Sequence, residues 1–176
     1  MKVSKVKLPT VSSLSGTLYH YADSYEGHYL DEEDCISSKD IAKAFFSYSP
    51  EWAEKLFDLR NRIVGIVGLK TPDKSLNRKE QLEQFACEPD ERLGLFKVFS
   101  RSEDEVIIGE DDKHLNFRVS LLKEPTSTLA VKRLTISTTV YYHNAFGRLY
   151  FLPVQPFHKL IVPKMLEGMI AGLEGK

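Results

Sequence analysis

The sequence predicts an α+β fold: a curved antiparallel sheet of about six strands, two short helices, and a long C-terminal helix across the concave face. Three observations carry this. Polar and apolar residues alternate strictly through two long segments late in the chain, which marks strands with one wet and one dry face. Shorter β-rich segments with polar turns precede them, a spacing that suits a meander. Beyond Pro153 the apolar period changes to that of a helix.

Residues 1–16, rich in Lys, Ser and Thr, predict a flexible arm leading into a single domain at 17–176. Leu18 to Leu30, dense in Tyr, predicts the first strand, bent or bulged near Asp23 to Gly27. Asp31-Glu32-Glu33-Asp34 is an acidic turn, read as solvated rather than cation-binding. Ser37 with Asp40 three residues on has capping-box spacing and opens a helix that buries Ile41, Phe45 and Phe46. Ser49-Pro50-Glu51 opens a second helix, with Trp52, Leu56, Leu59, Ile63 and Ile66 as its stripe and Gly68 as its stop. That stripe reads as core in preference to a stacking platform.

Lys70 to Arg92 is a connector with a short helix around Arg78 to Phe85. Strands follow at Gly94 to Ser100, Glu105 to Gly109 and from His114 onward, then a long one from Thr128 to His143. Asn144-Ala145-Phe146-Gly147 predicts a hairpin loop and Arg148 to Leu152 a last strand. Phe157, Leu160, Ile161, Leu166, Met169, Ile170 and Leu173 form the stripe of the closing helix. Pro163 inside it predicts a kink or a helix that starts nearby.

Composition narrows the function classes. Of 176 residues, 42% are hydrophobic and 28% charged, with a net charge of −1, so nothing suggests an electrostatic surface for nucleic acid or membrane. No apolar run reaches the roughly 20 residues a spanning helix needs. Cys35 and Cys87 stand far apart without a secretory leader, which predicts reduced thiols and a cytoplasmic location. The five histidines show no metal-ligand spacing, and no phosphate loop, dinucleotide fingerprint or nucleophile elbow is present; neither a metal nor a cofactor is expected.

The polar residues that suggest chemistry are Asp23, Arg62, His114, Arg118 and His143. An arginine fork holds a carboxylate or phosphate head, and a histidine near neutrality shuttles a proton. Two readings stand for His114 and Arg118, because alternation sets them opposite the Leu115-Phe117-Val119 face: they line the cavity, or they meet solvent or another subunit. His143 either serves the site or anchors its hairpin. Arg62, like Arg60, lies off its helix stripe and either is solvated or faces a cleft.

The order of elements resembles the helix-grip fold of the START, pollen-allergen and polyketide-cyclase (SRPBCC) superfamily, whose members hold apolar or amphipathic ligands between sheet and helix. Tyr21-Ala22-Asp23-Ser24-Tyr25, Arg60-Asn61-Arg62 with Gly65 and Gly68-Leu69, Gly109 to Ser120, His143 to Arg148 and Pro156-Phe157-His158 resemble, more narrowly, the bacterial domain of unknown function family 2867. That resemblance covers about Tyr19 to Met169 and implies a fold without a particular activity. The resemblance also implies that some relatives carry the domain behind a dehydrogenase-like domain.

Three functions follow as expectations. The first is a module that binds a small apolar or amphipathic molecule, its tail against Phe117 or Val140 and its head near an arginine or histidine. The second is a cyclase- or hydrolase-like enzyme with a cavity His or Asp as general base. The third is an accessory domain for a separate oxidoreductase; that oxidoreductase or a second copy of the chain is the protein partner.

Overall fold

In the computed structural model the described residues are 2–48 and 78–174, and they form a seven-stranded antiparallel sheet with helices on its concave face. The strands are β1 (Ser4–Val6), β2 (Tyr21–Leu30), β3 (Arg92–Leu93), β4 (Phe96–Arg101), β5 (Glu105–Asp111), β6 (Leu115–Pro125) and β7 (Val131–Tyr142). Their order across the sheet is β1-β2-β7-β6-β5-β4-β3. The helices are α1 (Ser38–Ser47), α2 (Arg78–Gln84) and α3 (Ala145–Glu174). The expected Trp52 helix, with Arg60 and Arg62, lies outside the described residues.

The expected meander is present as β4 to β7, and β7 closes onto β2, so the first long strand lies beside the last. The bulge expected near Asp23 to Gly27 is absent: Tyr21 to Leu30 pairs without interruption with Val140 to Val131. The register shift instead falls in β4, between Val98 and Ser100. α1 starts as its sequence implies, since Ser37 accepts from the Asp40 amide and the Asp40 side chain accepts from the Ser37 amide.

The strand predicted at Arg148 to Leu152 is helical, which removes one strand, while β1 and β3 add two. Asn144 explains the difference. Its side-chain oxygen accepts from the Gly147 amide at 3.0 Å, so the supposed hairpin loop is a helix start. Gly147 is needed there because a Cβ would strike the His114 carbonyl oxygen, which the His143 amide holds at 2.9 Å.

α3 runs unbroken for 30 residues through Pro153, Pro156 and Pro163, so the helix does not begin near Pro163. Each proline deprives the carbonyl four residues earlier (Leu149, Leu152, Lys159) of its helical donor. The exposed side of the helix tolerates this, because Leu149, Leu152 and Lys159 all meet solvent, where water takes the carbonyl.

The core lies between the sheet and α1 with α3. Tyr25, Tyr29, Ile136 and Leu134 from the sheet meet Ile41, Phe45 and Phe46 of α1 and Leu166, Met169 and Ile170 of α3. Each such fully buried side chain contributes about 1.5–3 kcal/mol. The predicted α3 stripe holds from Leu166 to Leu173, but Phe157 and Leu160 point outward.

The N-terminal arm reaches the other face of the sheet. β1 pairs with β2, and Ser12 and Ser13 fasten the following turn onto Glu105. The Glu105 carboxylate accepts from Ser12 Oγ at 2.6 Å, Ser120 Oγ at 2.6 Å, Ser13 Oγ at 2.5 Å and the Ser13 amide at 3.0 Å. Three of these four donors come from the arm, so one buried acid fastens it to the sheet.

Candidate functional site

β2 sends Tyr21, Asp23, Tyr25, Gly27 and Tyr29 toward α3, by the two-residue period of a strand. All but Asp23 suit an apolar interior. The Asp23 side chain is 1% exposed; its Oδ2 accepts from the Tyr21 hydroxyl at 2.5 Å and lies 3.2 Å from His158 Nδ1 of α3. Its Oδ1 has no hydrogen-bond partner among the described residues.

Thr138 is the cross-strand partner of Asp23 on β7, in the row Leu134, Ile136, Thr138, Val140. Its buried hydroxyl likewise has no partner among the described residues. Of the four buried side-chain oxygens without a partner among the described residues (the others on Tyr29 and Thr135), these two belong to cross-strand neighbours, and a buried polar group without a hydrogen bond costs roughly 1–3 kcal/mol.

The surroundings are apolar on both sides. Tyr25, Ile136 and Val162 belong to the main core; Leu115, Val140 and Phe151 form a separate cluster with Tyr21, Tyr142 and Val154 against it. Asp23, Thr138 and His158 thus occupy a polar seam between two apolar clusters. Burial, then the hydrogen bond to Asp23, pushes the Tyr21 phenol far above its ordinary value, and Gln155 reaches the same hydroxyl. Tyr21 is therefore a fixed proton donor to the carboxylate.

If His158 donates through Nδ1 to Asp23, its Nε2 is left as an acceptor. The seam then offers two acceptors, Asp23 Oδ1 and His158 Nε2, and one hydroxyl of either sense, Thr138 Oγ1.

The residues expected to form a site are not brought together. Asp23, Phe117 and Val140 share the α3-facing side, where Phe117 stands edge-on to Phe96 at 5.7 Å and Val140 is packed in its cluster. Arg118 is on the opposite face. Its guanidinium lies 3.5 Å from the centre of the Phe99 ring, pairs with Asp111 at 2.7 Å, and donates to the carbonyls of Phe117 and Glu110.

His114 and His143 sit at the end of the sheet. The Asn144 amide donates to His114 Nδ1 at 3.2 Å, and the His114 ring lies against Phe146. His143 Nε2 meets Asn116 Oδ1 at 2.8 Å, and the His143 ring touches Tyr141. Both serve the turn into α3, and Arg62 lies outside the described residues.

Tyr21, Thr138 and His158 were not anticipated, although a signal was present. Each neighbourhood is an apolar row broken by one polar residue: Asp23 among tyrosines, Thr138 between Ile136 and Val140, and His158 between Phe151 and Val162 on one helix face.

Among the described residues, Tyr25, Ile136, Leu166, Met169 and Ile170 pack between the sheet and α3. A groove of about 560 Å³ lies elsewhere, at the N-terminus of α1, lined by Lys39, Arg101, Lys123, Asp34 and Glu103 among others. Its charges are largely spoken for: Arg101 pairs with Glu88, Asp34 with Lys132, and Lys123 donates to the Ile36 carbonyl. Cys35 and Cys87 are free thiols, and burial raises that of Cys87 to about 11.

The family described as Protein of unknown function (DUF2867) matches residues 17–165. The chain belongs to that family. Every member of the seam, from Tyr21 to His158, falls inside the DUF2867 match, as do β2 to β7. No curated protein and no solved structure matches the chain.

Proposed function

We propose that this protein binds a small amphipathic molecule through a polar head that donates hydrogen bonds, an amine or a hydroxyl, seated on Asp23 between β2 and α3. The observation that carries this is the pair of buried oxygens on Asp23 and Thr138 that have no hydrogen-bond partner among the described residues. A donating head would satisfy both and recover their desolvation cost. The apolar part of the molecule would lie along Phe117 and the Tyr21–Phe151 edge, where partly buried rings border the seam. The head inferred here is the reverse of one suited to an arginine, since Arg118 lies on the far face. The helix-grip resemblance supports a ligand held between sheet and helix.

Titration with long-chain amines and long-chain alcohols, followed by tyrosine fluorescence and calorimetry, tests it. Saturable binding that Asp23→Asn weakens at least about tenfold is expected, the cost of one charge-assisted bond. Equal affinity in wild type and variant, or preference for long-chain carboxylates, refutes it.

A second reading rests on the 3.2 Å contact between Asp23 and His158. A carboxylate that holds one imidazole nitrogen leaves the other as a general base, the arrangement a hydrolase- or cyclase-like enzyme uses. Under this reading a turnover assay on the bound molecule loses activity in His158→Gln while binding persists. Retention of full turnover in His158→Gln removes the reading.

A further inference from the structure

α3 is apolar on two faces. One packs against the sheet; the opposite one presents Phe146, Leu149, Leu152, Phe157 and Leu160 to solvent, with Leu149 at 65% and Leu160 at 64% exposure. These recur at helical spacing together with Pro153 and Pro156, so they form one continuous strip rather than scattered residues. The charges that flank the strip are mainly basic. From Ala145 to Leu166 the helix carries Arg148, Lys159 and Lys164 and no acid, with Lys164 paired to Glu167 in the next turn at 2.7 Å. In the turn that leads to His114, Glu110 is engaged by Arg92 and Asp111 by Arg118, and Asp112 stands beside Lys113.

We infer that this face of α3 docks the protein on an anionic lipid surface. An aliphatic and aromatic strip with a cationic rim is the chemistry that lies flat at a headgroup boundary. A second copy of the chain fits less well, because a symmetric antiparallel pairing centred on the strip would set Arg148 of one copy against Lys159 of the other. The three prolines set the depth. The carbonyls they free need hydration, which the headgroup layer supplies and the hydrocarbon does not. No described helix is long and apolar enough to cross a membrane, which agrees with a helix that lies on it. A net charge near zero for the whole chain conceals this local excess.

Flotation of the full chain with vesicles of phosphatidylcholine alone, and of phosphatidylcholine with phosphatidylglycerol, tests the inference. Binding to the anionic vesicles, weakened by raised salt, is expected. R148Q/K159Q should lose about 30-fold in vesicle affinity, from roughly fivefold per basic residue. L149S/L160S should abolish binding with an unchanged circular dichroism spectrum, whereas Leu129→Ser, an exposed residue in the β6–β7 turn, should leave it intact. The inference is overturned by no binding to anionic vesicles, by equal binding to neutral ones, or by equal loss in Leu129→Ser. A dimer in sedimentation that L149S/L160S dissolves, with no vesicle binding, also overturns it and assigns the strip to a second copy. Binding only to an acidic protein overturns it in favour of a protein partner.

Discussion

Asp23 on β2 and Thr138 on β7 face each other across the ladder beneath α3, and each keeps one buried oxygen without a hydrogen-bond partner among the described residues. Thr138→Val removes a buried hydroxyl that has no such partner and is expected to stabilise the fold by about 1–3 kcal/mol, and with Asp23→Leu added ligand binding is expected to be lost. Chemical denaturation measures the first effect and calorimetric titration the second. A double variant that unfolds more readily would mean that Asp23 serves the fold through Tyr21 and His158.

Glu105 is the acid that holds the N-terminal arm, and its removal should release that arm. Burial raises its carboxyl, but the hydrogen bonds from Ser12, Ser120 and Ser13 outweigh burial and leave it below the ordinary carboxylate value. A depressed folded value contributes stability that is present above the unfolded value and lost as pH falls through the folded one. Acid unfolding of the wild type should therefore include a component in the acid range that Glu105→Gln lacks. Glu105→Ala leaves the serine hydroxyls without their acceptor, which costs about 2–4 kcal/mol. Proteolysis within residues 7–17 should accelerate in that variant, and an unchanged cleavage rate would show that the arm is held otherwise.

Gly147 meets the backbone of His114 rather than a side chain that can turn away. Gly147→Ala should thus destabilise by about 2 kcal/mol, although alanine is the better helix former. A melting temperature equal to or above that of the wild type contradicts the close approach.

Pro156 lies on the exposed side of α3 and frees the Leu152 carbonyl. Pro156→Ala restores one helical bond and should stabilise by about 1–2 kcal/mol, the helix penalty of proline less the entropy it removes from the unfolded chain. Denaturant midpoints of the two proteins decide the sign.

Arg118→Ala should leave ligand affinity unchanged, because the guanidinium is on the face away from the seam. The loss of its stacking on Phe99 and its pair with Asp111 should cost stability by about 1 kcal/mol. A large loss of affinity in that variant would return the arginine to the site.

Much of the fold could be read in advance because its signals are local. The alternation in β6 and β7 and the cap at Ser37 required no knowledge of distant residues. The misreadings were made where tertiary contacts decide. Arg148 to Leu152 has strand-like residues, but Asn144 caps a helix and Phe151 finds Tyr21 and Tyr142 only from helical geometry. The hydrogen bonds between the arm and Glu105, some 90 residues away, are likewise foretold by no local pattern.

The candidate site was half legible. Asp23 stood out as an acid among tyrosines, but Arg118, His114 and His143 drew attention by residue type alone, and the structure gives each of them a structural partner. His158 was masked by its apolar helix, and Thr138 by the high frequency of threonine in strands.

Native mass spectrometry of the protein purified without detergent tests the central claim most directly. The account predicts a small-molecule adduct on the wild type that is absent from the folded Asp23→Leu, Thr138→Val variant. An adduct retained equally by that variant, or a wild type that shows only its sequence mass and takes up neither long-chain amines nor alcohols, would contradict it.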